Sequence, residues 1–403
     1  MEVVSRYTSG TPSQIDIHTR SNGENTTIVT SGPAMFAKLG LRGRNISQFN
    51  YGDISTIGGD FTGDGSDDVA MLLSFNQAWW AGAATPGEFQ MSPWSNQGSD
   101  KALNGQIVGD LDGDGTDDVA AMQEETGKLR VGLSTGTRFK MDTWANHAVP
   151  ERWGPLIVGD FDGNGADDIA EYDTHRERWR VYRWVDGVPV RDFWYDFGVE
   201  NPNWGSFAVG DYNGDGLDDL LATDANTGGL IVLFSTGTDF TPTTWQTLPN
   251  DGAWQSVQSA DFTGDGIEDL AAFDPVAGTW WVVVGTNGFT AAPPAAWHTF
   301  AVLGQDFGAQ LAGDYNDDGK ADIASYNRSN GKLKVLLSQG DGFDKALWGS
   351  VPAKKKITSV LPLDVNGDGT TDIAAWDNKN RRWWVAESTG TEFEVTKWGK
   401  LLR

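Results

Sequence analysis

The chain of 403 residues repeats one nine-residue acidic pattern seven times at a nearly constant interval. The first copy reads Asp-Phe-Thr-Gly-Asp-Gly-Ser-Asp-Asp over residues 60–68, and the second reads Asp-Leu-Asp-Gly-Asp-Gly-Thr-Asp-Asp over 110–118. The other copies begin at Asp160, Asp211, Asp261, Asp314 and Asp364. Successive first aspartates are 50, 50, 51, 50, 53 and 50 residues apart. A period of this length, kept along the chain, predicts an array of similar supersecondary units.

Four β-rich runs make up each unit. A short apolar run such as residues 106–110 leads into the acidic loop, and another such as 118–122 follows it. A polar turn, a strand-like segment, a Ser-Thr-Gly-Thr-x-Phe turn such as 134–139 and a last segment ending near a tryptophan complete the unit. No segment has the apolar spacing that predicts a helix. Four short strands in about 50 residues is the size of a propeller blade, so the sequence predicts an all-β propeller.

The N-terminal residues contain a degenerate copy of the same unit. Residues 6–15 align without a gap with residues 314–323, although the acids of the loop are absent from the N-terminal copy. Residues 1–52 are therefore read as a repeat without an acidic loop, and residues 53–403 as seven repeats with one. Eight repeats fill nearly the whole chain, which favours one eight-bladed propeller domain over residues 1–403. The alternative is a seven-bladed ring with the N-terminal unit packed beside it.

The acidic loop has the donor pattern of a hard-cation site. Side-chain oxygens recur at positions 1, 3, 5 and 9, and the backbone carbonyl at position 7 adds another oxygen. Calcium takes six to eight such ligands, whereas magnesium prefers to keep several waters. Glycine at position 6 lets the chain turn back with positive φ. The candidate ligands, of which the position-7 residues offer only their carbonyl, are Asp60, Thr62, Asp64, Ser66, Asp68, Asp110, Asp112, Asp114, Thr116, Asp118, Asp160, Asp162, Asn164, Ala166, Asp168, Asp211, Asn213, Asp215, Leu217, Asp219, Asp261, Thr263, Asp265, Ile267, Asp269, Asp314, Asn316, Asp318, Lys320, Asp322, Asp364, Asn366, Asp368, Thr370 and Asp372.

Two other readings of the loop are weighed. An EF-hand needs a glutamate at position 12 and flanking helices, but only one of the seven copies, with Glu171, has that glutamate and the flanks are β-rich. An Asx-turn hairpin would use the aspartates only for local backbone hydrogen bonds. Clustered carboxylates without a cation repel one another, so we expect up to seven structural Ca²⁺. Seven divalent ions add 14 positive charges and would change the formal charge from −26 to −12.

The loops resemble the Asp-x-(Asp/Asn)-x-Asp-Gly-x-x-Asp calcium loops of the FG-GAP/VCBS, or integrin-α-like, β-propeller family. The resemblance covers nearly all the chain and implies that each loop joins two strands of one blade. It also implies a ring that serves adhesion or ligand binding. Integrin-type rings have seven blades, whereas the eighth unit here is similar to eight-bladed, calcium-bound rhamnogalacturonan lyases. Asp317 departs from the pattern, because it replaces the glycine at position 4 of the sixth loop.

Aromatic residues recur at three positions of the repeat. Two of these positions predict core packing, namely the set Trp94, Trp144, Trp194, Trp245, Trp297, Trp348 and Trp398 and the set Trp79, Leu129, Trp179, Leu230, Trp280, Leu333 and Trp383. The position after the second set is varied, and strand alternation turns it to the opposite face. Tryptophan beside arginine or lysine suits stacking on sugars and hydrogen bonding to their hydroxyl or acid groups. The candidate ligand contacts are Trp80, Arg130, Arg180, Trp281, Lys334 and Trp384.

Composition excludes several classes of partner. The chain has 56 acids against 30 bases, and such a charge repels phosphate backbones and anionic lipid, so we expect no nucleic-acid partner. No apolar run is long enough to span a bilayer, and we expect no membrane insertion. Cysteine is absent, which excludes disulfides and thiolate chemistry. No signal peptide opens the sequence, but calcium is plentiful outside cells, so we expect a secreted or cell-surface protein whose leader is not present in this chain.

The sequence offers little support for catalysis. Its four histidines share no repeat position, and it contains no Gly-x-Ser-x-Gly, His-Glu-x-x-His or phosphate-loop motif. We therefore expect a calcium-stabilised propeller that acts as a ligand-binding or adhesion module, in particular a lectin-like one that binds carbohydrate. One alternative is a polysaccharide lyase or hydrolase on the same ring, and another is a protein-interaction scaffold. The partner would be a glycan or a protein, and the sequence leaves its identity and the oligomeric state open.

Overall fold

The computed structural model contains strands and turns. It describes residues 18–19, 25–26, 54–73, 77–96, 102–123, 125–147, 153–174, 176–197, 204–224, 227–249, 254, 256–289, 293–300, 309–352 and 356–400. No helix occurs in these residues, which confirms the all-β prediction and means that no helix there is long and apolar enough to cross a membrane. Near the N-terminus, β1 (His18–Thr19) and β2 (Asn25–Thr26) pair antiparallel.

The other strands form seven four-stranded antiparallel sheets, each built from four consecutive strands. We call these sheets blades I to VII. Blades I to III are β3 (Ile54–Gly59), β4 (Asp68–Leu73), β5 (Ala78–Thr85) and β6 (Glu88–Asn96); β7 (Asn104–Gly109), β8 (Asp118–Gln123), β9 (Lys128–Ser134) and β10 (Phe139–Asn146); and β11 (Trp153–Gly159), β12 (Asp168–Asp173), β13 (Arg178–Val185) and β14 (Val188–Asp196). Blades IV and V are β15 (Trp204–Gly210), β16 (Asp219–Asp224), β17 (Gly229–Ser235) and β18 (Phe240–Thr247); and β19 (Ser256–Ala260), β20 (Asp269–Asp274), β21 (Thr279–Val283) and β22 (Ala295–Thr299). Blades VI and VII are β23 (Ala309–Gly313), β24 (Asp322–Tyr326), β25 (Lys332–Ser338) and β26 (Phe343–Ser350); and β27 (Ile357–Leu363), β28 (Asp372–Asp377), β29 (Arg382–Ser388) and β30 (Phe393–Lys400).

The second strand of each blade is apolar because neighbouring blades cover both of its faces. All six residues of β4 are buried, and the same holds for β8 and β28. A strand with only one covered face would alternate between apolar and polar residues, as the fourth strands at the rim do. In β10, for example, buried Phe139 is followed by exposed Lys140.

The ring closes between blades VII and I, so the favoured eight-bladed arrangement is wrong and the seven-bladed alternative is correct. The first strand β3 contacts both β7 of blade II and β27 of blade VII. The amide of Asp67 donates to the carbonyl of Asp364 at 2.6 Å, and the hydroxyl of Thr56 donates to that of Ser359 at 2.7 Å. No room is left there for an eighth sheet. The prediction that residues 1–52 form a degenerate repeat lies outside the described residues, apart from β1 and β2.

A tryptophan of one blade packs on a phenylalanine of the next at six of the seven junctions. Across the closing junction, Trp398 of blade VII lies 5.0 Å from Phe89 of blade I, measured between ring centroids. The other pairs are Trp94–Phe139, Trp194–Phe240, Trp245–Phe289, Trp297–Phe343 and Trp348–Phe393, at 5.0 to 5.5 Å. These six tryptophans are buried, as predicted.

Trp144 departs from this pattern for a local reason. In blade III the residue that corresponds to the phenylalanine is Pro189, since it pairs with Trp184 as Phe139 pairs with Ser134 in blade II. Trp144 remains half-buried and stacks on Trp184 at 5.4 Å with an interplanar angle of 17°. The second predicted core set, from Trp79 to Trp383, is at most 1% exposed in every blade.

Candidate metal loops and blade-junction grooves

Each acidic loop connects the first and second strands of its blade and wraps around its first aspartate. In blade I, Oδ1 of Asp60 accepts hydrogen bonds from the amides of Gly63 and Asp64 at 2.7 and 3.2 Å. Its Oδ2 accepts one from the amide of Gly65 at 2.9 Å. In all seven loops the amides at positions 5 and 6 donate to the two oxygens of the first carboxylate. In blade I the single bond to Oδ2 of Asp60 leaves a lone pair of that oxygen for a further ligand.

Backbone conformation explains the glycines of the loop. Gly65 at position 6 has φ of 91°, and the same position has positive φ in every copy, as predicted. A Cβ on Gly65 would meet nothing within 4 Å, so conformation rather than space requires glycine there. Asp317 holds the position-4 turn of blade VI with φ of 60°, which is left-handed backbone that aspartate tolerates better than most residues.

The aspartate at position 9 is the most buried acid of each loop. In blade II, Oδ2 of Asp118 accepts from the amide of Leu111 at 3.0 Å, and its Oδ1 accepts from the amide of Ser134 at 2.6 Å. Burial, with the neighbouring carboxylates adding to it, raises the pKa of Asp118 and Asp219 to about 9. The pKa is raised to about 8 in Asp68, Asp269, Asp322 and Asp372 and well above its ordinary value in Asp168. A buried carboxylate of this kind gains most from a positive charge placed beside it.

Blades II and III contain acidic clusters that can hold a metal ion. Asp110, Asp112 and Asp118 each direct a carboxylate oxygen to within 4.8 Å of the others. The corresponding cluster of blade III is Asp160, Asp162 and Asp168. In the other described loops position 3 is threonine or asparagine, which offers a hydroxyl or amide oxygen in place of the carboxylate.

Unsatisfied oxygens in these two clusters fit a hard cation. Among the described residues, no hydrogen-bond donor reaches Oδ1 of Asp112 or Oδ1 of Asp168, although both atoms are buried. A buried carboxylate oxygen without a donor is costly unless a cation lies against it. Blade II offers the better fit, because in blade III Arg183 already donates to Oδ2 of Asp162 at 3.2 Å.

Acids at position 8, which the sequence analysis did not single out, join neighbouring loops. Oδ2 of Asp117 in blade II accepts from the amide of Asp60 in blade I at 2.8 Å, and the amide of Asp117 donates to the carbonyl of Asp60 at 2.8 Å. The same reciprocal pair is made by Asp167, Asp218, Glu268 and Asp67 with the first residue of the preceding loop. Ala321 and Thr371 keep only the backbone bond. The recurrence of an acid at position 8, outside the ligand pattern, was the signal that the sequence offered for this role. The hydrogen-bond partner could not be identified from the sequence, because it lies in another blade.

A serine completes the connection between loops at four junctions. Ser134, whose amide donates to Asp118, also donates its hydroxyl to the carbonyl of Phe61 in the preceding blade at 2.6 Å. Ser235, Ser338 and Ser388 make the corresponding pair of bonds. The serine of the Ser-Thr-Gly-Thr turn therefore ties the position-9 carboxylate of one blade to the loop of the blade before it. Blade III has Trp184 at this place, and Oδ1 of its Asp168 lacks a donor.

The candidate ligand contacts lie in six of the seven blades, one in each, at the position that follows the core set on the third strand. Trp79 packs on Phe139 of blade II, whereas its neighbour Trp80 packs on the cluster that contains Trp383 of blade VII. The predicted change of face along the strand is therefore confirmed. The structure does not gather the six candidates into one pocket. Contact with a ligand stays a prediction.

Each candidate is the middle of a cross-strand row of three residues, which we call the junction row. The inner member lies on the second strand, at position 12 counted from the first aspartate of the loop. The outer member lies on the fourth strand. The rows are Met71–Trp80–Pro93, Ala121–Arg130–Thr143, Glu171–Arg180–Phe193, Ala222–Ile231–Thr244, Ala272–Trp281–Ala296, Ser325–Lys334–Leu347 and Ala375–Trp384–Lys397. Beside Trp281 and Trp384 the inner member is alanine, so that little side chain covers the indole from that side.

The junction row of blade III is occupied by a buried polar network. Arg180 is 5% exposed and pairs with Asp173, and its Nη1 lies 3.6 Å from Oε2 of Glu171. The hydroxyl of Tyr182 donates to Oε2 of Glu171 at 2.8 Å, and Nε2 of His147 lies 3.3 Å from Oε1. Burial and the charge of Glu171 raise the pKa of Tyr182. This network uses Arg180 internally, so that Arg180 differs from the other five candidates.

Comparison with known proteins agrees with this architecture. Residues 211–272 and 314–397 match the sequence model of the FG-GAP-like repeat. Over these two segments the resemblance of the loops to that family is confirmed, and the fold is a seven-bladed β-propeller. A search of curated proteins found no match to the chain.

Two solved structures share the fold. One is described as the structural basis of specific recognition of non-reducing terminal N-acetylglucosamine by an Agrocybe aegerita lectin; it has a TM-score of 0.64 and 16% identity, over 88% of this chain and 93% of that one. The other is a protein from Lactobacillus plantarum, with a TM-score of 0.50 and 9% identity, over 86% of this chain and 97% of that one. At these identities the similarity extends to the fold alone.

Proposed function

We propose that this protein is a calcium-stabilised, secreted or cell-surface propeller that binds carbohydrate in the grooves between its blades. The observation that carries the proposal is the contrast within each blade: an acidic loop that recurs with the same backbone bonds to its first carboxylate, and a junction row that differs from blade to blade. Six of the seven middle members are half-buried, and variation at one partly accessible register of a repeated scaffold is typical of a binding surface.

Calcium would be held by the side chains at positions 1, 3, 5 and 9 of each loop and by the carbonyl at position 7. The orphaned oxygens of Asp112 and Asp168 and the raised pKa of the position-9 acids support a divalent cation there. The ion would supply structural charge compensation. Because the loops are joined at every junction, filling them would stiffen the whole ring. Calcium concentrations outside cells support the proposed location.

Carbohydrate is the ligand class that the junction rows favour. The half-buried rings of Trp281 and Trp384 lie beside alanines, and the ammonium of Lys397 sits 5.4 Å from the ring centroid of Trp384. An aromatic face with a polar donor at its edge suits a sugar ring with its apolar face and equatorial hydroxyls. The lectin from Agrocybe aegerita, which shares the fold, supports the same ligand class. Several weak sites on one ring would bind a multivalent glycan by avidity.

The test is calorimetric titration of the calcium-loaded protein with a glycan panel that includes terminal N-acetylglucosamine. Trp281→Ala and Trp384→Ala should each weaken binding, by about fivefold for one lost stacking contact. Ile231→Ala changes the same register of blade IV, where the side chain is aliphatic, and should leave binding unchanged.

Two results would contradict the proposal. If no glycan on the panel binds, the carbohydrate assignment fails and a protein partner, as in the scaffold alternative, becomes the better reading. If glycans bind equally well to the Trp281→Ala, Trp384→Ala and wild-type proteins, carbohydrate binding stands but the junction rows are not its site.

A further inference from the structure

Blade VI carries three lysines on the face that it turns to blade V. Strand alternation places Lys332 and Lys334 on one face of β25, and the pairing of Leu336 with Lys345 brings Lys345 to the same face. The ammonium of Lys345 lies 5.1 Å from the ring centroid of Phe300 in blade V, so this face of blade VI is turned to blade V. We call these three residues, with Phe300 and His298 opposite them, the V/VI groove.

Lysine occupies all three of these positions in no other described blade. Blade III has Arg178, Arg180 and Arg191 there, but Arg178 pairs with Asp196 and Arg180 pairs with Asp173. Residues that pair as Lys345 does are Met91 in blade I, Met141 in blade II and Val395 in blade VII, and all three pack against a hydrophobic cluster. Lysine at a position built for an apolar contact costs packing, and in blade VI the cation–π contact with Phe300 replaces it. The cation is held in place over an aromatic ring of the neighbouring blade.

The lysines concentrate positive charge in a strongly acidic protein. Among the described residues, no carboxylate lies within 4 Å of the ammonium of Lys332 or Lys345, since neither lysine occurs in an ion pair. Burial, followed by the charges of Lys345 and Lys332, lowers the pKa of Lys334. An anion bound between like charges relieves their repulsion.

The remaining walls of the groove suit the body of a sugar. Leu347, the outer member of the junction row, is 60% exposed, and the rings of Phe300 and His298 in blade V contact blade VI at Lys345 and at the carbonyl of Phe343. Nδ1 of His298 lies 3.1 Å from the carbonyl of Phe343, which fixes the ring between the blades. An apolar rim beside a group of ammonium donors is the complement of a sugar ring that carries one anionic substituent.

We propose that the V/VI groove binds the carboxylate or sulfate group of an acidic saccharide through Lys332, Lys334 and Lys345. This proposal rests on the carbohydrate binding proposed above and assigns one junction a different sugar class from the tryptophan junctions. The overall negative charge opposes acidic ligands at long range, so recognition depends on these short-range contacts.

The experiment titrates the calcium-loaded protein with glucose, glucuronic acid, glucose 6-sulfate and inorganic sulfate, using ligand-observed NMR. Glucuronic acid and glucose 6-sulfate should both bind more tightly than glucose. The first carries a carboxylate and the second a sulfate, so their affinities show which anionic group the groove prefers. The double variant Lys332→Gln/Lys345→Gln should weaken the acidic sugars by about tenfold, the usual order for two lost charge-assisted contacts. Lys140→Gln/Lys379→Gln makes the same change in charge at two exposed lysines away from the groove and should leave binding unchanged.

Three other results would each overturn a part of these proposals. If acidic sugars bind the Lys332→Gln/Lys345→Gln protein as tightly as wild type, or no more tightly than glucose, the proposal is wrong. If inorganic sulfate binds as tightly as glucose 6-sulfate, the sugar makes no contact and the saccharide assignment is overturned. Failure of the glycan panel at the tryptophan junctions, with acidic sugars still lost in the lysine variant, would overturn the general proposal and leave this one standing.

Discussion

The acidic loops and the junction rows belong to the same seven blades, yet they vary in opposite ways. Every described loop repeats the same bonds to its first carboxylate, and each loop is joined to the next through position 8. The junction rows share only their register, and their middle members include tryptophan, arginine, lysine and isoleucine. The acidic loops are uniform because each loop must fit the loop of the next blade for the ring to close. Variation is tolerated where a side chain faces a groove, and there it can serve recognition.

Chelation should have the largest effect on the uniform region. A loop filled at a hundred times its dissociation constant contributes about 2.7 kcal/mol to the free energy of unfolding, and seven joined loops should unfold together. We expect EDTA to lower the melting temperature by at least about 10 °C, as measured by differential scanning calorimetry, with excess calcium reversing the fall. Magnesium added at the same concentration is the control. Indifference to EDTA would show that the loops are hydrogen-bonded turns without a metal.

The chelated protein should also lose stability as the pH rises. The position-9 acids have pKa values of about 8 or 9 in the folded protein, above the ordinary 3.8, because burial disfavours their charged form. A raised folded-state pKa stabilises the fold below the unfolded value and ceases to do so as the pH rises through the folded value. We therefore expect the metal-free melting temperature to fall from about pH 4 to about pH 9. With calcium bound, the same range should be nearly flat; a parallel fall would show that no metal compensates these acids.

Trp398→Ala should be the most costly single substitution at the aromatic junctions. Trp398 is 1% exposed and packs on Phe89 across the closing junction, so its truncation leaves a cavity between the first and last blades. A loss of about 3 to 5 kcal/mol in the free energy of unfolding is expected. Trp144→Ala removes the same repeat position where Pro189 replaces the phenylalanine, and it should cost less than half as much. If the two variants lose the same free energy of unfolding in urea titrations, the contact at the closing junction stabilises the fold no more than the contact of Trp144 does.

The sequence predicted features that depend on residues close together along the chain. It did not predict features that depend on residues far apart along the chain. The positive φ of the glycine at loop position 6 was predicted correctly, because it is a property of the turn itself. The metal ligands at positions 1 and 9 stay a prediction. The blade count was wrong because residues 6–15 align locally with a repeat, whereas closure depends on contacts such as Trp398 with Phe89. Those contacts join residues about 300 positions apart. No period in the sequence reports them.

The same reasoning explains what was missed at the site. Asp117 acts on Asp60, which lies 57 residues earlier in another blade. Glu171 was recorded only as an exception at position 12, whereas the structure places it among His147, Tyr182 and Arg180. The contact with His147 depends on how blades II and III face one another, and the contacts with Arg180 and Tyr182 depend on the pairing of β12 with β13. The face of the junction rows was predictable because strand alternation alone sets it.

Asp117→Asn should have an intermediate effect, because it weakens a bond between loops without opening a cavity. The carboxylate of Asp117 accepts the amide of Asp60, and an asparagine oxygen still accepts that bond but without its charge. We expect a loss of about 1 kcal/mol in the free energy of unfolding and a weaker calcium response in calorimetry. Thr371→Ala, at a junction whose position-8 side chain makes no such bond, is the matched control. If both variants behave alike, the position-8 acids do not join the loops.

Arg130→Gln should have the smallest effect on stability, because it changes a junction row rather than the uniform region. Nη1 of Arg130 donates to the hydroxyl of Thr143 on the neighbouring strand, a half-buried contact that glutamine can replace in part. Surface changes of this kind stay within about 0.5 kcal/mol. The comparison with Arg180→Gln sharpens the result, since Arg180 occupies the same register but is buried against Asp173 and Glu171. Breaking that buried network should cost about 3 kcal/mol or more. If Arg130→Gln proves equally destabilising, the junction rows carry the fold as the loops do, and their variation no longer points to recognition.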